Sequence, residues 1–424
     1  MRVLWLVSMV LPQAAVACGL RGASDVSGGW LTGQLCALQK RNSLQLTVAC
    51  VDPRQKAVCN GTLDGVAYRI LPGVGDFAAL LQAEQPDLVH IWGTEYAAAA
   101  AMYDAADARH LPVLVGIQGV MQDCAAHLCD GVPAAFCQAS PLDHALDRLV
   151  PGALLDKLQE NFDALARSEA ALLAKSHFVT GRTGFDHRAV TKLAPQARYF
   201  PCNETLRPLF YQGALWQPHS SGQSPVLLLS QGNYPLKNLH TVLRALPEIL
   251  KQYPGAQLRI AGWPPLDKGP LFRPLIRRLF PYQRYCRQLA TELGILNHIH
   301  YTGPLDAAAM RQAYLDADIF LLPSLSENSP NSLGEAMLLG VPCVASKAGG
   351  ISDMLTDGQE GRLYGPALDA EALANTVCAV LSRPDRGKAL GEAARVRALR
   401  THDAAANAGA LCTIYDTIVQ EGPR

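Results

Sequence analysis

Short apolar runs alternate along the chain with longer stretches in which apolar residues recur every three or four positions. In the first half the runs fall at 3–7, 46–51, 88–92, 113–117 and 178–179. Brief apolar runs bounded by Gly, Pro or polar residues predict strands buried on both faces, and the helical stretches between them predict a parallel sheet covered on both sides. Residues 142–175 predict one long amphipathic helix. The scheme restarts after a polar gap at 213–224, where Pro218-His219-Ser220-Ser221-Gly222-Gln223 neither packs nor continues a helix. Beyond this expected hinge, strands are predicted at 226–229, 258–261, 299–302, 319–322 and 341–345, with helices near 239–252, 283–293, 307–316 and 333–339. The pattern is α/β: two doubly wound parallel-sheet domains, 1–218 and 219–399, facing a cleft.

Composition narrows the function classes. A chain of 424 residues can support more than one core. Lys plus Arg and Asp plus Glu both number 37, so there is no basic excess of the kind that phosphate neutralisation requires, and nucleic acid is not an expected partner. With 49% hydrophobic and 17% charged residues the chain is folded, not disordered. No apolar run has the length of a membrane-spanning helix. Met1-Arg2, the run 3–11 and Ala15-Val16-Ala17-Cys18 have the outline of a short signal peptide, but a first buried strand accounts for the same residues. The expected location is therefore cytoplasmic. Twelve cysteines without a CxxC pair read as reduced thiols. Cys124, His127, Cys129 and Cys137 have the residue types for a soft metal at a spacing that matches no common site, so no metal is expected. At 267–287, Lys268, Arg273, Arg277, Arg278, Arg284 and Arg287 face one acid among apolar residues. A solvated loop and helix is one reading, and peripheral contact with an anionic membrane surface is the other.

The richest chemistry lies in Leu321-Leu322-Pro323-Ser324-Leu325-Ser326-Glu327-Asn328-Ser329-Pro330-Asn331-Ser332-Leu333-Gly334-Glu335-Ala336-Met337. A strand ends in a polar loop, and a helix then begins with free N–H groups and a positive dipole end that suit an anion. Glu327 and Glu335 are spaced to border that anion pocket, and a carboxylate accepting from vicinal hydroxyls reads a sugar. By itself, Ser332-x-x-Glu335 reads better as a capping box, in which Glu335 only satisfies the N–H of the cap residue.

The stretch resembles the Glu-x7-Glu signature of the retaining nucleotide-sugar glycosyltransferases of GT-B fold, family 4, in a bacterial polysaccharide-type member. Ser230-Gln231-Gly232-Asn233-Tyr234-Pro235-Leu236-Lys237-Asn238 is similar to the family's loop in which a Lys meets the donor diphosphate. Gly262 and Gly303 resemble its strand-ending glycines beside the base, Gly28-Gly29 its N-terminal loop, and 402–415 its closing helix, which implies that about 400–424 packs back on the first domain. The resemblance implies transfer of a sugar from a nucleoside diphosphate, UDP favoured over GDP, to a hydroxyl of a saccharide or lipid-linked saccharide. Such chemistry belongs to polysaccharide or glycoconjugate synthesis and needs no metal or further cofactor. Lys237 and the N–H groups around Asn331 and Ser332 would hold the diphosphate, with Pro330, Gly232, Asn233, Gly262, Gly28 and Gly29 lining the donor. Glu335 would hold the ribose and Glu327 the transferred sugar.

Two departures stand out. Asn233 occupies a place where many members carry Arg, and Gln118 one where many carry His. Gln118 cannot be a base, but it can bond a sugar hydroxyl or stabilise positive character at the anomeric carbon. Arg182 and Asp186, in a motif similar to that of a bacterial subset, are expected near the cleft, and His90, His127 and Asp123 are candidates for a direct or a structural role. The alternatives are an inactive nucleotide-sugar-binding paralogue, suggested by Asn233 and Gln118, and a nucleotide-sugar epimerase, against which Glu-x7-Glu argues.

Overall fold

A computed structural model describes residues 1–20, 28–41, 44–149, 153–219, 224–262 and 279–422. The chain forms two compact units: unit 1 comprises Met1–Met121, Ala164–Pro208 and Thr401–Arg424, and unit 2 comprises Gln122–Asp163 and Leu209–Arg400.

Unit 1 is built on eight strands: β1 (Arg2–Val7), β2 (Gln45–Val51), β3 (Cys59–Leu63), β4 (Val66–Leu71), β5 (Leu88–Trp92), β6 (Val113–Gly116), β7 (Phe178–Gly181) and β8 (Arg198–Pro201). Their order is β3-β4-β2-β1-β5-β6-β7-β8, and only the β3–β4 hairpin is antiparallel. The apolar run with a signal-peptide outline is β1, a buried strand paired with β2 at Val3–Leu46 and with β5 at Val3–Leu88. Apolar pattern alone misses β3, β4 and β8, because strands near a sheet's edge have no need of a fully apolar sequence. The hairpin did carry a signal: Asp64-Gly65 has φ of 50° and 78°, the left-handed pair that a two-residue turn between strands requires. Helix Ala404–Glu421 lies on this unit, where Leu411, Tyr415 and Ile418 pack in one core with Trp5, Val7 and Leu35. At about 1.5–3 kcal/mol per buried large apolar side chain, that face secures the end of the chain to the first sheet.

Unit 2 carries a parallel sheet in the order β11-β10-β9-β12-β13-β14. The strands are β9 (Val226–Leu229), β10 (Gln257–Ile260), β11 (Ile299–Tyr301), β12 (Ile319–Leu322), β13 (Cys343–Ser346) and β14 (Arg362–Tyr364). Helices Leu239–Gln252, Pro281–Glu292, Ala307–Leu315 and Asn331–Leu339 lie close to their expected places. The three-residue β14 is too short to register as a run.

Three expectations need correction. The stretch 142–175 is two helices, Pro141–Leu149 and Leu155–Lys175, with the described residues Ala153-Leu154 outside both; Pro151-Gly152, whose sequence disfavours a helix, lies outside the described residues. The change of unit comes at Pro208, ahead of the expected hinge. The residues after it are already tied to unit 2, since the Trp216 indole donates to the Ala317 carbonyl at 2.6 Å and its backbone N–H to Leu339 at 2.9 Å. Residues 122–163 also pack with unit 2, whereas the expected boundary put them in the first domain: Leu155 is in its core, and Phe136 and Leu158 pack against that core. Residues 267–278 of the basic insert at 267–287 lie outside the described residues.

In each sheet the strand order reverses direction at one point. The reversal lies between β1 and β5 in unit 1 and between β9 and β12 in unit 2. Loops leaving the carboxyl ends of such a pair diverge and leave a crevice for a ligand.

Candidate functional site

At the crevice of unit 2, Lys237 ends the turn Pro235–Lys237 after β9, and Glu327 lies in the loop after β12. The Lys237 ammonium donates to Glu327 Oε1 at 2.5 Å, with 17% and 14% of the two side chains exposed. The same oxygen accepts from Ser324 Oγ at 2.9 Å, and the ammonium lies 5.6 Å from the centre of the Tyr234 ring. Burial on its own would lower the Lys237 pKa, but the Glu327 carboxylate and the Tyr234 hydroxyl outweigh it and raise it above that of an ordinary lysine. Asn238 stitches the two loops together. It sits wholly buried at φ 54°, and its amide donates to the carbonyls of Pro323 at 2.9 Å and Ala367 at 2.8 Å. Gly232 is buried with Ile260 and Leu239 close against it, and the exposed Asn233 gives its carbonyl to the Gln283 amide at 2.7 Å.

Helix Asn331–Leu339 follows the Glu327 loop with Pro330 as its N-cap and no side chain capping it. Ser332 is therefore inside the first turn, and the arrangement is not the capping box that Ser332-x-x-Glu335 suggests. The Ser332 carbonyl accepts from the Tyr314 hydroxyl at 2.9 Å, Asn331 Oδ1 is buried without a hydrogen-bond partner, and Glu335 is 6% exposed. The loop after β13 closes on the same place: Gly350 N–H donates to the Glu327 carbonyl at 2.9 Å, and a Cβ on Gly349, at φ 54°, would stand 1.9 Å from that oxygen. Gly262 N–H donates to the Gly303 carbonyl at 2.9 Å at the ends of β10 and β11.

His127, expected with the first half, belongs to unit 2. Its Nδ1 is 2.7 Å from Asp130, and its Nε2 is 3.8 Å from Asp123. Among the described residues no group of three or more His, Cys, Asp or Glu could hold a metal ion, and all twelve cysteines are free.

The remaining candidates are in unit 1. Gly28 caps helix Gly29–Gln39 at φ 75°, and a Cβ on Gly29 would meet Arg207 at 2.4 Å. Gln118 follows β6 and donates to Glu204 Oε1 at 2.9 Å. Arg182 pairs with Glu204 Oε2 at 2.6 Å and donates to the Gln118 carbonyl at 2.7 Å, with 5% and 3% of the Arg182 and Glu204 side chains exposed. Trp92, Gln118, Thr180, Arg182, Cys202 and Glu204 line a small pocket. Asp186 is fully buried and accepts from the backbone N–H groups of Arg182 and Thr183 and from the Tyr199 hydroxyl, closing the cap of helix Gly184–Leu193. His90 is fully buried in β5, and burial holds its pKa well below the ordinary value.

Sequence reasoning missed Glu204, Ser324 and Glu169. Ser324 was visible in the Glu327 loop, whereas Glu204 has no pattern around it. Glu169 is a carboxylate on the buried face of helix Leu155–Lys175, where it accepts from Thr94 Oγ1 and from the Met121 N–H at 2.8 Å. Burial pushes its pKa up to about 7, and nearby Glu95, itself raised by burial, adds to the shift.

Residues 216–397, which contain Lys237, Glu327 and Glu335, match the family model described as glycosyl transferases group 1. Along 99–100% of its length the chain superposes on solved structures. With sucrose-phosphate synthase from Thermosynechococcus elongatus the TM-score is 0.69 at 17% identity, over 100% of both chains. With Anabaena HepE in complex with UDP and glucose it is 0.63 at 16% identity, over 99% of both. The fold is GT-B. Among curated proteins, the GDP-mannose-dependent alpha-(1-6)-phosphatidylinositol monomannoside mannosyltransferase of Mycolicibacterium smegmatis is 28% identical over 185 residues, 42% of this chain and 44% of that one. The D-inositol 3-phosphate glycosyltransferase of Corynebacterium kroppenstedtii is 32% identical over 191 residues, 44% of this chain and 39% of that one. The chain thus spans less than half the length of the curated relatives it matches.

Proposed function

We propose that unit 2 binds a nucleoside-diphosphate sugar and that the protein transfers the sugar to an acceptor hydroxyl with retention of anomeric configuration. The observation that carries this reading is the meeting of Lys237 and Glu327, from different loops of one crevice, beside a helix whose N-terminus no side chain caps. Lys237 would exchange Glu327 for a diphosphate oxygen, and the freed carboxylate would accept from hydroxyls of the transferred sugar. Glu335 would hold the ribose hydroxyls. As the bond from C1 to the phosphate oxygen breaks, the ammonium and the first-turn N–H groups stabilise the growing charge. The acceptor oxygen bonds to C1 on the same face, and its proton passes to the departing phosphate. A fixed lysine and helix end supply the positive charge that a metal ion would otherwise bring.

Names of the matched proteins mention GDP-mannose as well as UDP. We propose UDP as the favoured carrier, with a saccharide or lipid-linked saccharide as acceptor, in polysaccharide or glycoconjugate synthesis at the inner face of the cell membrane. Lys237→Ala and Glu327→Gln are expected to lower turnover of the UDP-sugar by about 10²–10³-fold, the usual effect of removing one charge-stabilising group. Full turnover in either variant, or a product of inverted anomeric configuration by proton NMR, would contradict the reading. A binding protein without turnover is the second reading, favoured by the exposed Asn233 where similar enzymes often carry Arg. Donor binding without product, in the presence of saccharide acceptors, would establish it.

A further inference from the structure

The Glu327 loop is also held by a helix that precedes it by about 200 residues. Asp123, in helix Met121–His127, accepts a hydrogen bond at 2.5 Å from Ser326 Oγ, the hydroxyl immediately before Glu327, and Cys124 Sγ lies 3.6 Å from the same oxygen. Ser326 is 5% exposed and the Asp123 side chain 27%, so the bond is shielded from solvent on its Ser326 side. The segment that carries Asp123 does not depend on it for docking. Leu128 packs with Leu236 and Leu325, the Gly131 carbonyl accepts from Arg244 at 3.3 Å and Tyr285 at 3.4 Å, and Phe136 meets the Tyr285 ring at 5.1 Å. Asp123 Oδ2 thus holds the loop, while Oδ1 lies 3.8 Å from His127 Nε2. From the other side, Gly350 holds the Glu327 carbonyl. The backbone on both sides of the Glu327 side chain is fixed.

We infer that Asp123 is a positioning residue for the transfer reaction, acting through Ser326 to set the Glu327 carboxylate where it meets Lys237 and the sugar. The inference rests on the function proposed above and adds a residue to it that the Glu-x7-Glu spacing does not contain. Asp123 touches neither Lys237 nor the proposed reacting atoms, so its effect must pass through the loop. The test compares Asp123→Ala, Asp123→Asn, Ser326→Ala and the Asp123→Ala/Ser326→Ala double variant in the full chain. Two readouts are taken: turnover of the UDP-sugar, and amide hydrogen exchange at 324–328.

Asp123→Ala and Ser326→Ala are each expected to lower kcat by about 10- to 100-fold, the scale of a small misplacement, with donor KM within about twofold. The double variant should be no slower than the slower single one, because one interaction has been removed twice. Amide exchange at the loop should be faster in all three, and Asp123→Asn, whose amide oxygen still accepts, should recover most of the rate and the slow exchange. Unchanged exchange in Asp123→Ala, or losses that multiply in the double variant, would overturn the inference. If the wild-type protein neither binds UDP nor makes product, the function proposal fails by itself, and the exchange comparison still decides whether Asp123 holds the loop. Should Asp123→Ala fail to fold, Ser326→Ala against Asp123→Asn makes the same comparison.

Discussion

The pairing of Lys237 with Glu327 shows what single residues of this sequence reveal and what they conceal. Both side chains stand out in the sequence, one after the first strand of the second half and the other before a helix, yet nothing in their spacing says that they touch. Their contact is set by Asn238, which pins the loops, and by Gly349, which lets the β13 loop close on the Glu327 carbonyl. Gly349 yields a sharp prediction. At φ 54° a side chain costs about 1–2 kcal/mol in backbone strain before any clash, and the added Cβ would stand 1.9 Å from a carbonyl oxygen. Gly349→Ala is expected to lose more than that by urea unfolding and to lower turnover as well, because the atom displaced belongs to Glu327. Unchanged stability and turnover would contradict the tight closure described here.

Among the elements, the apolar runs located β1, β2, β5, β6, β7 and β9–β13 within a few residues, since strands buried on both faces have no polar alternative. Edge elements such as β3, β8 and β14 escaped the same pattern. So did the allegiance of 122–163, because its partners, Ser326, Arg244 and Tyr285, are distant in sequence and no local period marks them. The closing helix was expected from resemblance, and its anchor is chemical as well as apolar. Tyr415 accepts from the Trp5 indole at 2.8 Å, and its hydroxyl hydrogen-bonds with His90 Nδ1 at 2.7 Å. Tyr415→Phe removes both partners' bond in a fully buried place and is expected to cost unit 1 about 2–3 kcal/mol in urea unfolding. A cost below about 0.5 kcal/mol would mean that packing alone holds the helix.

At the scale of the whole molecule, one architecture occurs twice, and each sheet reverses its strand order at one crevice. The sequence made the repetition legible. It did not reveal the polar cluster of unit 1, where Glu169 is buried with a pKa pushed up to about 7. A carboxyl raised in the folded state favours its protonated form there. The stability associated with it is full below the unfolded value near 4.5 and is lost as pH rises through 7. Glu169→Gln is therefore expected to gain on wild type between about pH 4.5 and 7.5, by up to about 3 kcal/mol, and to hold that difference at higher pH. A difference independent of pH, measured by urea unfolding from pH 4.5 to 8.5, would show that Glu169 is ionised throughout.

The central claim is that the crevice of unit 2 is a nucleoside-diphosphate site, and a thermal-shift titration of wild type and Glu335→Ala with UDP, GDP and ADP tests it most directly. A ligand at a hundred times its Kd stabilises by about 2.7 kcal/mol, enough to read as a clear rise in Tm. The account predicts that UDP raises the wild-type midpoint and that Glu335→Ala loses the rise. No rise with any of the three, or the same rise in the variant, would contradict it.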